Sequence, residues 1–465
     1  MPGMRYLARA LVVLVAACGQ ASVESGATTT SPPATAPPAV ATPQNSRPVE
    51  LPVVIQDCTT PQIGFAPLCE AYELVQEWHM DRPIDPESLA SAALDGLQAF
   101  TTETTQQPPR TLFCAIPDPA FSGLCDELAR RMGEEAIPVG EAIEAAVLAM
   151  GDTGLEQFSY YVPPELVGSY RLNGVVGGLG ILLDATDAAG SKCVRITASC
   201  PLEIVFVLEE NAGEKAGLEA GDRITGVDGE PVDGLGFVDT ATRLAGDETG
   251  VVEIEIERND QKLDLTIERA PLVVPTVEID VPRSGIGYIR IPDFESDMPD
   301  LVHEGLSELM QEPIDRLVVD LRDNPGGFLH AAIDVATEFI DRGPVVETIG
   351  PEEAFEYDAR EGGLATQLEI AVLVNAGTAS AAEILAAALR DRRGALIIGE
   401  PTFGKDAVQI AFELNNGGEF NVAIARWLSP NGTTVAGTGI LPDRSVQLLR
   451  TMTRVELADL AFSGS

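Results

Sequence analysis

Long apolar runs, histidine and positive charge are all scarce in this 465-residue chain, and each scarcity removes a class of function. The apolar run Ala10–Ala17 is too short to cross a bilayer, and no later stretch is long and apolar enough to be a membrane helix. Lys and Arg number 30 against 72 Asp and Glu, a formal net charge of -42, so the long-range field repels nucleic acid and anionic lipid alike. The three histidines, His79, His303 and His330, lie far from the cysteines, and the cysteine pairs lack CxxC spacing, which argues against a zinc site.

What is present begins with an export signal. Arg5 and Arg9 precede the short apolar run, and Val15-Ala16-Ala17-Cys18 resembles the lipobox of bacterial lipoproteins, whose cysteine is acylated and becomes the mature N-terminus. An ordinary cleaved signal with an incidental cysteine is the alternative. Residues 1–17 are therefore expected to be a signal peptide, and 18–50, rich in Pro, Thr, Ser and Ala, an extended tether. Of the seven cysteines, six fall into close pairs, and the simplest connectivity joins Cys58 with Cys69, Cys114 with Cys125 and Cys193 with Cys200. Oxidised pairs imply an extracytoplasmic compartment. The expected location is the outer side of the cell membrane, anchored by lipid on Cys18, or otherwise secretion.

The remaining chain changes texture twice. Residues 51–170 carry helical periodicity in CEAYELVQEWHM, PESLASAALDGLQAF and VGEAIEAAVLAM, which predicts a mostly helical module. Residues 171–272 turn to short β-like runs and glycine turns. There ENAGEKAGLEAGDRITGVDGEPV resembles the PDZ pattern, in which a loop such as Gly178-Leu179-Gly180-Ile181 donates backbone N–H groups to a peptide's terminal carboxylate. Without that context a plain tight turn would be the better reading of the glycines. Residues 273–450 alternate strands (GIGYIRI, RLVVDLR, LEIAVLVN) with helices (VHEGLSELMQ, LHAAIDVATEFI, SAAEILAAALRDR), the order of a largely parallel sheet covered by helices, and 451–465 form a tail.

Two strand-to-helix junctions in that last region carry polar residues where reactive groups collect in open α/β sheets: Asp320-Leu321-Arg322-Asp323-Asn324-Pro325-Gly326-Gly327, and TASAAEI with Ser380. Taken alone, Ser380 reads as a helix N-cap. A serine hydroxyl becomes a nucleophile only when something takes its proton, and Lys405, set among apolar residues and turn glycines in GEPTFGKDAVQ, could lose solvation and serve as that base. Alone, Lys405 reads as a snorkelling surface lysine. Glu383 reads as a first-turn helix carboxylate, Asp320 with Arg322 as a structural pair, and His330 as a helix residue without a chemical role.

The order DLRDNPGG, TASAAEI, GEPTFGKDAVQ, with a PDZ-like segment ahead and SPNGTTVAGTGILPD behind, resembles the C-terminal processing peptidases, or tail-specific proteases, from roughly Asp152 to Val446. The resemblance implies an α/β fold: a crotonase-like or ClpP-like βα core, an inserted PDZ-like β domain and the helical N-terminal module. It implies Ser380 as nucleophile, Lys405 as base and Gln409 as the residue orienting the lysine, with oxyanion donors at the backbone amides of Ala381 and Gly326. It implies no cofactor and no metal. The partners would be polypeptides bound by their C-termini; the membrane is met through the lipid anchor alone, nucleic acid is not a partner, and a homo-oligomer or regulatory partner is compatible. Ala382 replaces a serine of many relatives, and Asp406 stands where relatives have glycine. Asp406 is expected to face away from Lys405 because neighbours on a strand alternate. The rival readings are an inactive PDZ-containing adaptor at the cell envelope and a crotonase-like acyl-transfer enzyme.

Overall fold

The computed structural model describes residues 53–55, 65–100, 112–114, 116, 118–134, 137–167, 170–171, 175–176, 178–186, 195–208, 211–246, 250–259, 261–272, 276–449 and 452–463. All of these lie in one unit, Pro48–Ser465. The signal, tether and Cys18, as well as Cys58 and Cys193, lie outside them.

The helical module is built from α1 (Ala66–Trp78), α2 (Pro86–Ala99), α3 (Ser122–Glu134) and α4 (Val139–Gly154), beside a parallel pair of short strands, β1 (Val53–Ile55) and β2 (Leu112–Cys114). Each long helix presents an alanine- and leucine-rich face to one core, and Gly96 of α2 lets α4 approach so closely that an added Cβ would stand 2.4 Å from the Ala145 carbonyl oxygen. Cys69 and Cys125 are buried and each is disulfide-bonded, as is Cys200 further along the chain.

After β3 (Tyr160–Val162) and α5 (Pro164–Val167) comes an eight-stranded sheet. Its strands are β4 (Tyr170–Arg171), β5 (Val175–Val176), β6 (Ile181–Ala185), β7 (Leu202–Val207), β8 (Arg223–Val227), β9 (Glu230–Pro231), β10 (Gly250–Arg258) and β11 (Gln261–Arg269), with α6 (Ala212–Lys215) and α7 (Phe237–Ala245) packed on it. The order β11-β10-β8-β7-β6-β5-β4 is antiparallel throughout, and the alternation of buried and open side chains along β6 places Ile181, Leu183 and Ala185 in a core of its own.

The catalytic-region sheet is β12 (Glu278–Arg283), β13 (Ile286–Arg290), β14 (Arg316–Asp320), β17 (Glu369–Val374), β18 (Leu396–Gly399) and β21 (Arg444–Ser445). Five of its strands are parallel, and only β12 runs against its neighbour. The expected βα alternation is therefore present, with α8 (Met298–Leu309), α9 (Leu329–Thr337) and α10 (Ala381–Arg393) on one side and α11 (Arg454–Phe462), from the expected tail, on the other. A second sheet, not read from the sequence, consists of β15 (Gly343–Ile349), β16 (Ala354–Ala359), β19 (Ala407–Glu413) and β20 (Glu419–Leu428), to which β3 adds. It faces α10 and holds one wall of the site.

Candidate active site

Ser380 sits at the sharp turn from β17 into α10, with φ 53° and ψ -118°. A non-glycine residue in that region costs about 1–3 kcal/mol and persists only where its surroundings fix it. Glu383 supplies the fixing. Its carboxylate, fully buried, accepts the Ser380 N–H at 2.8 Å, the Lys405 N–H at 3.0 Å, the Gly404 N–H at 2.8 Å and the Thr402 hydroxyl at 2.5 Å. Burial raises the Glu383 carboxyl above the usual range, and these four donors work against that rise. A first-turn carboxylate thus clamps the serine turn to the lysine loop. The sequence signal was the Ser-x-x-Glu spacing, which reads as a capping box; the structure keeps that Ser380–Glu383 pairing at the start of α10, and Ser380 also lines a cleft of about 210 Å³.

Lys405 lines the same cleft, as do Ala381, Gly327, Gln409 and Trp427. It lies in the irregular segment before β19, not on the strand expected from the sequence. Its backbone is held at both ends, the N–H by Glu383 and the carbonyl by the Trp427 indole N–H at 2.9 Å. The amine stands 5.9 Å from the Phe158 ring centroid, and among the described residues it forms no ion pair. Burial pushes its proton affinity down to about 8, against the pull of Glu383 and Glu156. A lysine in that range supplies free amine near neutrality. Asp406 does not contribute: it is buried and turned to Arg426, 3.7 Å away, so the expectation that it faces elsewhere holds through a loop rather than through strand alternation.

Two expected roles meet a different geometry. Gln409 lines the cleft, but its side-chain N–H donates to the Phe158 carbonyl. It therefore braces the residue against which the Lys405 amine rests. Gly326, expected as an oxyanion donor, has its N–H committed to the Asn324 side chain at 2.8 Å. What Gly326 provides is proximity: at φ 99° its missing Cβ would fall 2.8 Å from the Ser380 Cβ. Gly327, next along, lines the cleft instead. Ala381 is the first residue of α10, where no intrahelical acceptor exists for its N–H, and the helix's positive end points at the cleft.

The remaining expectations are also located. Asp320 and Arg322 form a buried pair at 2.6 Å, and His330 sits on α9 beside the Tyr357 ring. Gly178, Leu179, Gly180 and Ile181 form the loop into β6, all four buried, and their carbonyls at 178, 179 and 180 accept from Ala270, Gly213 and Leu208. The adjoining edge of β6, where a peptide would add, already carries β5, with Val176 opposite Ile181 and Val175 opposite Leu182. Sequence reasoning missed Glu156, whose carboxylate caps the turn holding Phe158.

Comparisons with known proteins agree with this architecture. Residues 285–446 match the model of peptidase family S41, and 205–258 match a PDZ domain. A carboxyl-terminal-processing protease of Synechocystis sp. is 32% identical over 300 residues, 63% of this chain and 68% of its own. One of Picosynechococcus sp. is 34% identical over 315 residues, 66% of this chain and 73% of its own. The solved structure of a photosystem II D1 C-terminal processing protease superposes with a TM-score of 0.59 at 24% identity, covering 83% of this chain and 94% of the other, which shows a shared fold. The chain belongs to the carboxyl-terminal-processing proteases of peptidase family S41, serine-type enzymes in which a PDZ domain accompanies the peptidase domain.

Proposed function

We propose that this protein is an endopeptidase with a Ser380/Lys405 dyad that recognises C-terminal ends of exported or misfolded polypeptides and cuts them through an acyl-enzyme. The observation that carries this reading is one cleft lined by both Ser380 and a desolvated lysine, Lys405, whose backbone N–H groups are tied together by Glu383. Ser380 Oγ attacks the scissile carbonyl as its proton passes to the Lys405 amine. The lysine returns that proton to the leaving amine, and water, deprotonated in turn by Lys405, releases the acyl group. The Ala381 N–H faces the oxygen on which negative charge builds, and a lost donor there costs about 2.7–4 kcal/mol of barrier.

Substrate capture at residues 178–181 requires β5 to leave the edge of β6, because both would use the same backbone groups. Export, a lipid anchor on Cys18 and the disulfide pairs 58–69, 114–125 and 193–200 complete the proposal, on the strength of the signal pattern and cysteine spacing.

The test is cleavage of a peptide with an apolar C-terminus by the wild type, Ser380→Ala and Lys405→Ala. The serine variant should lose detectable turnover while still binding the peptide, and the lysine variant should lose about 10²–10⁴-fold in kcat. A wild type that binds but does not cut would indicate an adaptor instead, and detectable turnover in Ser380→Ala or near-wild-type turnover in Lys405→Ala would overturn the dyad.

A further inference from the structure

Around Phe158, whose ring centroid stands 5.9 Å from the Lys405 amine, lies a polar network that the proposed mechanism leaves unused. Glu156 accepts the Phe158 N–H at 2.9 Å and the Ser159 hydroxyl, and Ser159 Oγ in turn accepts the Ala423 N–H of β20 at 3.0 Å. The turn thus formed presents two groups to the site: the Phe158 carbonyl, which receives the Gln409 side chain, and the Phe158 ring, over which the Lys405 amine sits. Phe158 packs with Met80, Ala407 and Ala423, so the turn is wedged between the helical module and the two strands that flank the lysine.

The helical module closes the network from behind. His79, at the end of α1, is 1% exposed, and its Nδ1 accepts the Asp81 N–H at 3.1 Å. That leaves the ring proton on Nε2, which faces Glu156 Oε1 at 3.5 Å. Burial would raise the Glu156 carboxyl, but contacts from His79, Ser159 and the Phe158 N–H bring it below the usual range, so it is anionic at neutral pH. The groups around it are His79, Lys405 and Asp406; Asp406 is paired with Arg426, whose guanidinium also meets Asp81.

We propose that Glu156, backed by His79, is a positioning residue for the cleavage reaction: it fixes the turn on which Lys405 and Gln409 rest and holds a carboxylate at that turn. The inference rests on the dyad reading. Its two halves separate chemically. A glutamine at 156 keeps an oxygen for the Phe158 N–H and lets Ser159 accept rather than donate, so it preserves the turn while deleting the charge. An alanine deletes both.

The sign follows from the charges, since Glu156 acts on the lysine through space. An anion near an ammonium favours the charged form, so removing it lowers the pH at which Lys405 becomes free amine. The acid limb of the pH profile of kcat/KM should therefore move to lower pH in Glu156→Gln by roughly 0.5–1 unit, raising the rate at pH 7 about 3- to 5-fold. Glu156→Ala should lose kcat across the whole range, because the turn beneath the amine is gone. The experiment is a set of pH profiles on one peptide substrate for wild type, Glu156→Gln, Glu156→Ala and Lys405→Ala, with thermal unfolding to confirm that each variant is folded. If Glu156→Ala does not fold, Glu156→Gln alone decides. A Glu156→Gln profile that superposes on the wild type, or an equal pH-independent loss in both Glu156 variants, would overturn the inference. Near-wild-type activity in Lys405→Ala would instead overturn the dyad, so the two failures are told apart.

Discussion

The helical module and the PDZ-like sheet flank the same peptidase unit, yet they are joined to it in different ways. Leu68, Leu89, Leu97 and Val147 of the helices share one core with Leu414, Phe420 and Val422 from the β19–β20 hairpin. Backbone contacts add to it, with Met80 N–H on the Ala423 carbonyl and Asn415 N–H on Glu70. The PDZ-like sheet instead closes a core of its own, from Leu179 to Ile267, to which Val162 is the main outside contributor. The module without a recognisable motif is therefore part of the scaffold that carries Gln409 and backs Lys405, while the module with the recognisable motif is built to be separable. That division assigns catalysis-supporting packing to the first and substrate capture to the second.

A matched pair of core truncations tests this most severely. Phe420, fully buried in β20 against Tyr161, belongs to the shared core, and Phe420→Ala should cost about 3–5 kcal/mol. Because that core also supports the lysine side of the cleft, peptidase activity and the main unfolding transition should fall together. Ile204→Ala, fully buried in β7, should cost about 2–5 kcal/mol but within the PDZ-like unit. Calorimetry should then show an early separate transition, with cleavage of a short peptide at high concentration retained. Identical calorimetric and activity losses in both variants would erase the distinction.

The same division governs what the sequence could disclose. The parallel sheet was legible because β13, β14 and β17 are short apolar runs bounded by helices with clear periodicity. The second sheet was not, since β16 and β19 are largely exposed and show no alternation that marks a strand. At the site, Ser380 and Lys405 were recognisable from ordered motifs, whereas the clamp by Glu383 depends on a loop returning from beyond α10. Glu156 was invisible for a stronger reason: its hydrogen bonds to Phe158 and Ser159 are local, but the groups that make it matter, His79 and Lys405, are distant in sequence, and a lone Glu in GLEQFSYY carries no local pattern. Gly326 and the 178–181 loop show the reverse case, where the motif located the backbone but could not say which hydrogen bonds it had already made.

A gentler perturbation addresses the separable unit. If β5 covers the peptide edge of β6, Val176→Pro, at the position opposite Ile181 in that two-residue pairing, should weaken it and free the edge. One ladder hydrogen bond is worth about 0.5–1.5 kcal/mol, so affinity for a C-terminal peptide, measured by titration into the Ser380→Ala background, should rise by up to about tenfold. Unchanged or weaker binding would mean that β5 is part of the receptor rather than its cover.

The smallest effect is expected where the joint between helical module and peptidase looks most electrostatic. Arg426 of β20 reaches Asp81 with both guanidinium nitrogens, at 3.2 and 3.1 Å, a geometry that invites a large energy. Both side chains are close to half exposed, however, so solvent screens the pair and ordering two mobile side chains offsets much of the attraction. Arg426 also keeps Asp406 at 3.7 Å, so losing Asp81 does not strand its charge. Asp81→Asn should therefore shift stability by no more than about 1 kcal/mol, a shift that shrinks as salt is raised, with cleavage unaffected. A loss comparable to that of Phe420→Ala, and insensitive to salt, would place the joint in this ion pair and not in the apolar core, and the contrast between the two modules would need to be redrawn around charge.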